Sequence, residues 1–176
     1  MTWGLIAAGI LIGVPLIGWL VGGLLPRDHV AQMAIDLKAP PDLVWALVSD
    51  VAGTARWRPD VREVEMRPPV DGRVRFVEQT RDRPMPFEVL SQEAPARQVI
   101  RVVDDGLPFG GTWTWELAPA GGGTRLTITE AGFIRNPIFR VMSRLFFPPT
   151  GTINGYLRAL ATELGDSAEP RVLRVR

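Results

Sequence analysis

The rhythm of apolar and polar positions changes several times along the chain, and each change predicts an element. From Trp3 to Leu25 there is no alternation, and WGLIAAGILIGVPLIGWLVGGLL carries no charge. A helix of that length, rising ~1.5 Å per residue, exceeds a hydrocarbon core of ~30 Å. Residues 1–26 are therefore expected as one transmembrane anchor. Pro15 would bend it, which lipid tolerates where neighbours satisfy the freed carbonyl. Trp3 and Trp19 fall near the two expected interfaces. A cleaved signal peptide fits less well: Met1-Thr2 is not basic, and the run ends at Leu24-Leu25-Pro26-Arg27 without a small-x-small site. Gly9 and Gly13, and again Gly18 and Gly22, stand four apart, which lets a second helix approach closely.

Beyond the anchor the period drops to two. In HVAQMAIDLK, Ala31, Met33, Ile35 and Leu37 share one face, the pattern of a half-buried strand. Ala39-Pro40-Pro41-Asp42 stops that strand and opens a helix, since Pro suits a first helical turn. Val44, Leu47, Val48 and Val51 then recur at helical spacing up to Gly53. Six short alternating stretches follow, near 61–67, 73–81, 85–92, 97–103, 112–118 and 124–130. Clusters such as Pro68-Pro69-Val70-Asp71-Gly72 and Gly121-Gly122-Gly123 bound them, the punctuation of an antiparallel meander. Ile153, Leu157, Leu160 and Leu164 form one stripe of a final helix, with Gly165 as its cap. Residues 166–176 read as a flexible tail.

This order is α+β, with a curved sheet whose concave face the final amphipathic helix must cover. The expected divisions are an anchor over 1–26, one domain over 27–165 and the tail.

Composition removes several classes of chemistry. Twenty basic residues against 19 acidic leave a net charge of +1, without the electrostatic footprint of a nucleic-acid binder. Lys38 is the only lysine, and a GC-rich genome of bacterial type produces the same arginine bias. Cysteine is absent and His29 is the only histidine, which disfavours thiolate chemistry, transition-metal sites and Ser/His or Cys/His nucleophiles. No metal or cofactor is expected. Arg27 and Lys38 lie on the C-terminal side of the apolar run and no basic residue precedes it. The expected localisation is thus a single-pass membrane protein with its domain on the cytoplasmic side.

The chain resembles the SRPBCC superfamily, the START and birch-pollen-allergen-like helix-grip fold, in particular its polyketide cyclase/dehydrase-like members. The residues that carry the resemblance are Ala39-Pro40-Pro41-Asp42-Leu43-Val44-Trp45, Trp57-Arg58-Pro59 and Thr112-Trp113-Thr114-Trp115-Glu116-Leu117. Gly123-Thr124-Arg125-Leu126-Thr127-Ile128-Thr129-Glu130 and Gly155-Tyr156-Leu157-Arg158-Ala159-Leu160 extend it over about residues 28 to 165. It implies a sheet of about seven strands gripping the C-terminal helix, often around a cavity for lipids, sterols or polyketides. It does not imply one reaction, because the fold hosts binders, enzymes and scaffolds.

Phe76, Phe87, Trp113, Trp115, Phe133 and Phe139 are the candidates for lining such a cavity, since ligand pockets are mostly apolar. Filling the core solid is the competing use of the same side chains. Glu78 shares the side of Phe76, and Glu130 that of Leu126 and Ile128. Inward carboxylates are costly unless paired, so ordinary ion pairs are expected for both. No constellation supports acid–base catalysis beyond these two. Residues 136–149, NPIFRVMSRLFFPP, are strongly apolar, with Arg140 and Arg144 four apart. Phe146, Phe147 and the two arginines are candidates for contact with a bilayer surface or a partner, together with Trp3, Gly9, Gly13, Gly18, Trp19 and Gly22. A lid over the cavity mouth and a buried helix ending at Pro148-Pro149 are the competing uses of that segment.

Two functions follow from these features. One is a membrane-anchored, non-catalytic module binding a hydrophobic molecule of the lipid or quinone class. The other is an accessory subunit of a larger respiratory or photosynthetic membrane complex, packed through its anchor.

Overall fold

The computed structural model describes residues 13, 15–103, 106–146 and 150–175. In chain order the elements are β1 (Asp28–Leu37), α1 (Pro41–Ser49), a 3-10 helix (Val51–Arg56), β2 (Val61–Val70), β3 (Arg73–Thr80) and β4 (Pro84–Glu93). There follow β5 (Arg97–Val102), β6 (Phe109–Ala120), β7 (Gly123–Ile134), α2 (Pro137–Phe146), α3 (Thr150–Glu163) and β8 (Arg171–Val175). Residues 15–24 are also helical.

The strands form one antiparallel sheet in the order β2-β3-β4-β5-β6-β7-β1-β8. Five of its pairings join strands consecutive in sequence, as the short turns between them require. At Asp71-Gly72 and at Gly121-Gly122 both residues have positive φ, the backbone twist that two-residue hairpins favour. β1 closes against β7, with Ile35 opposite Leu126 and Met33 opposite Ile128. These residues, with Ala31 and Leu37, pack on α3, where Ile153, Leu157 and Leu160 are fully buried. The predicted α+β helix-grip arrangement is thus present, and Gly165 ends α3 at φ 66 with the Asp166 N–H donating to Ala161 O at 2.8 Å.

The sheet has eight strands rather than about seven. The extra one, β8, comes from the segment expected as a tail and pairs with the outer edge of β1. Asp166 prepares it, accepting from Lys38 N at 2.8 Å and from Ala168 N at 3.1 Å. Arg171 then donates to Asp36, which Arg125 of β7 also holds.

The expectation of a single-pass membrane protein with a cytoplasmic domain is corrected. Among the described residues no helix is long and apolar enough to cross a membrane. The expected contacts at Trp3, Gly9 and Phe147 lie outside the described residues. Gly22 is used within the chain: a Cβ there would stand 1.9 Å from Pro137 O, so only glycine allows this approach to α2. Gly13 and Gly18 have nothing within 4 Å. Arg140 does not reach outward either. It is buried and donates to Leu25 O at 2.7 Å, closing the last turn of the 15–24 helix.

Candidate functional site

Strand register decides what the concave face carries. Phe76 of β3 stands opposite Phe87 of β4, and Ile100 of β5 stands between Val89 and Trp113. Trp113 and Trp115 of β6 face Glu130 and Ile128 of β7. Four predicted aromatics therefore share one surface. The rings of Phe76 and Phe87 stack at 5.4 Å, and those of Trp113 and Trp115 tilt at 5.8 Å. Phe76 and Trp115 are core residues, whereas Phe87 and Trp113 are only partly buried. Phe133 falls on the opposite face, where its ring occupies the space a Cβ at Gly110 would need, and Arg135 stacks on it at 5.0 Å. Phe139 is exposed on α2.

A polar cluster is buried beneath these rings. The turn after the 3-10 helix projects Arg58 inward, and its Nη1 donates to both oxygens of Glu78 at 2.9 and 3.1 Å. Its Nη2 donates to Asp60 at 2.5 Å. The guanidinium also lies 5.3 Å from the centre of the Tyr156 ring. Glu78 is only 6% exposed. Burial pushes its carboxyl up; the Arg58 charge opposes that rise without reversing it. Burial likewise pushes the Tyr156 phenol far up, against the pull of Arg58. Trp115, at 4% exposure, stacks on Tyr156 at 5.7 Å. Its Nε1 is close enough to influence the phenol, yet finds no hydrogen bond of normal geometry.

A second polar pair lies at the start of β1. His29 Nε2 approaches Glu130 Oε1 at 3.4 Å, and the two side chains are 19% and 20% exposed. An ionised carboxylate only accepts, so the imidazole Nε2–H is the donor. Gly132, the register partner of His29, leaves the ring its place, since a Cβ there would stand 2.6 Å from Cε1. Both inward carboxylates are thus paired, as expected. The partners are not legible in the sequence, because neither Arg58 nor His29 is within helical or strand reach of its carboxylate. Nor is Glu88, buried on the convex face under Arg75 and Arg101. Burial pushes that carboxyl up, but the hydrogen bonds from Arg75 and Arg101 prevail and hold it below the ordinary range.

Two open clefts flank the sheet. One of about 620 Å³ lies on the convex side between Arg67, Val77, Arg83 and Pro86. Another of about 380 Å³ separates Trp57 and Pro59 from Arg158 and Thr162 of α3. The concave aromatics line neither. Among the described residues no group of His, Asp or Glu is placed to hold a metal ion.

A long antiparallel sheet gripping a C-terminal helix, with aromatic and polar groups on its concave face, defines the helix-grip class. The chain belongs to the polyketide cyclase/dehydrase and lipid transport family, whose model matches residues 28–165. No curated protein matches it in sequence. Among solved structures it is similar to the di-domain aromatase/cyclase StfQ of the steffimycin biosynthetic pathway, at 14% identity and a TM-score of 0.64. That match covers 79% of this chain but 52% of StfQ, so the chain spans about half of that protein. It is also similar to the ZhuI aromatase/cyclase from a Streptomyces species, at 18% identity and a TM-score of 0.63, covering 79% of this chain and 94% of that one. A START superfamily protein from Mycobacterium smegmatis matches at 13% identity and 0.60, covering 78% and 97%. At such identities the likeness is one of fold.

Proposed function

We propose that the chain is a non-catalytic module that binds a hydrophobic small molecule on the concave face of its sheet. The observation that carries this reading is the exposure pattern of the aromatics. α3 lies along β1 and reaches β6 through Tyr156, while Phe87 and Trp113 keep accessible surface beside the sealed core. Partly exposed aromatic rings on a concave wall, with a few convergent polar groups, are what apolar ligands select. Phe76 and Trp115 form the floor of this seat and Phe87 and Trp113 its accessible part. The family match, which includes lipid transport, supports the same reading. Titration with methylnaphthalene, followed by tryptophan fluorescence, is expected to saturate, and Phe87→Ala to weaken binding by about tenfold. A response that never saturates in the wild type would overturn the reading.

A second reading is that of an accessory subunit in a larger assembly. Ile138, Phe139, Met142, Leu145 and Phe146 of α2 are exposed, and so are Leu16, Ile17 and Leu20 on the helix that Arg140 ties to it. Exposed apolar surface on two tied helices is the kind that marks interaction sites.

A further inference from the structure

Glu130 has an acceptor that no described residue uses. Among the described residues only His29 bonds it, through Oε1, and Oε2 has no protein partner. The carboxylate is largely buried at 20% exposure, yet it remains in reach of solvent. A carboxylate oxygen held in such a place lacks the full hydration it would have on a convex surface, and a ligand donor would restore what it lacks.

Its neighbours narrow the chemistry. Trp113 is the register partner of Glu130 on β6, and Ala31 is its partner on β1. Directly opposed residues on one face have Cβ atoms about 5 Å apart, so the indole and the carboxylate flank the same space. An indole face attracts cations through its quadrupole, and a carboxylate attracts them by charge. His29 offers nothing that competes: its Nε2–H is spent on Oε1, and Gly132 fixes the ring by leaving it room. A second anion would be repelled here. A neutral carbonyl would find no donor on Glu130.

We infer that the Glu130–Trp113 corner is a cation subsite and that the ligand of the concave face carries a protonated amine on an apolar body. This rests on the proposed binding function and adds the charge and position of the ligand head. The aromatic body lies along Phe87 and Trp113, and the ammonium donates to Glu130 Oε2.

Three probes with one body separate the possibilities: methylnaphthalene, naphthylmethanol and naphthylmethylamine, each titrated into the whole chain at low and high salt. The amine is expected to bind about tenfold more tightly than the hydrocarbon, equivalent to about 1.4 kcal/mol, with the difference shrinking in salt. Glu130→Gln, nearly isosteric, is expected to abolish that difference, bringing the amine to the affinity of the hydrocarbon. Because the comparison is made within the wild type, it survives a variant that folds poorly. Equal affinity for all three probes would overturn the cation subsite and leave the binding function standing. An alcohol as tight as the amine would overturn it too, reducing the corner to a simple acceptor. Saturable binding of none would overturn the binding function first.

Discussion

The Arg58 guanidinium holds both carboxylate oxygens of Glu78, at 2.9 and 3.1 Å, where the two side chains are only 10% and 8% exposed. The pair joins the turn after the 3-10 helix to β3 and supports the Tyr156 ring from below. Removing the cation would leave a buried carboxylate with no counter-charge, and Arg58→Ala is expected to cost about 3–5 kcal/mol in urea unfolding. Glu78→Gln retains an acceptor, and Arg58 keeps Asp60, so a loss under about 2 kcal/mol is expected. Equal losses in the two variants would show that the charge of Glu78 itself is what stabilises.

The same pair gives a pH dependence whose sign can be stated. Burial raises the Glu78 carboxyl above its ordinary value of 4.5 in the folded state. Between the unfolded and folded values the native protein then holds more protons, so stability falls as pH rises through that window. Unfolding free energies measured upward from pH about 4 are expected to lose this decline in Glu78→Gln. An unchanged slope in the variant would place the titration elsewhere.

Asp36 behaves in the opposite sense. Hydrogen bonds from Arg125 and then Arg171 lower its carboxyl from 3.8 to about 2. The stabilisation is present above 3.8 and is lost as pH falls through about 2. The group is substantially exposed, so after solvent screening the effect amounts to under about 1 kcal/mol. It should be felt first by β8, because Arg171 is its opening residue. Amide exchange in β8 is expected to quicken in Asp36→Asn at neutral pH, and high salt should reproduce part of the change.

These relationships show what periodicity can and cannot reach. The β1 alternation, the turn at Asp71-Gly72 and the α3 stripe were legible because each is a local pattern on one element. β8 was not: RVLRV is short, every residue in it is exposed, and its strand conformation depends on the free edge of β1. The apolar run at the N-terminus has the composition of a membrane span, yet among the described residues no helix is long and apolar enough to cross a membrane. In the candidate site, the inward carboxylates followed from strand parity. Their partners did not, since Arg58 sits in a turn whose direction only the packed fold determines. Residue type alone suggests Phe133 for the cavity, whereas its parity with Glu130 puts it on the other face.

Gly132 offers a test of the His29–Glu130 corner that does not remove either group. In Gly132→Ala the new methyl would stand 2.6 Å from His29 Cε1 and 2.8 Å from Nε2. The ring must swing away, at a cost of about 1–3 kcal/mol for overpacking. Glu130 would then lose its only described donor. The His29 ring resonances should shift, and amine-probe affinity should change more than hydrocarbon affinity. A shift in stability alone, with both affinities unaltered, would separate His29 from the ligand seat.

The exposed apolar surface of α2 calls for a different measurement. Leu145 and Phe146 are 68% and 62% exposed on the last turn of α2 and are not core residues. Replacing both with Glu removes apolar surface without opening a cavity, so stability should change by no more than about 0.5 kcal/mol. If a protein partner covers this face, the double variant will lose the higher-mass species that the wild type shows on native gels in mild detergent. Methylnaphthalene binding at Phe87 and Trp113 should stay the same, because the two surfaces share no residue. A wild-type chain that migrates as a monomer under those conditions would remove the subunit reading and leave the concave-face reading untouched.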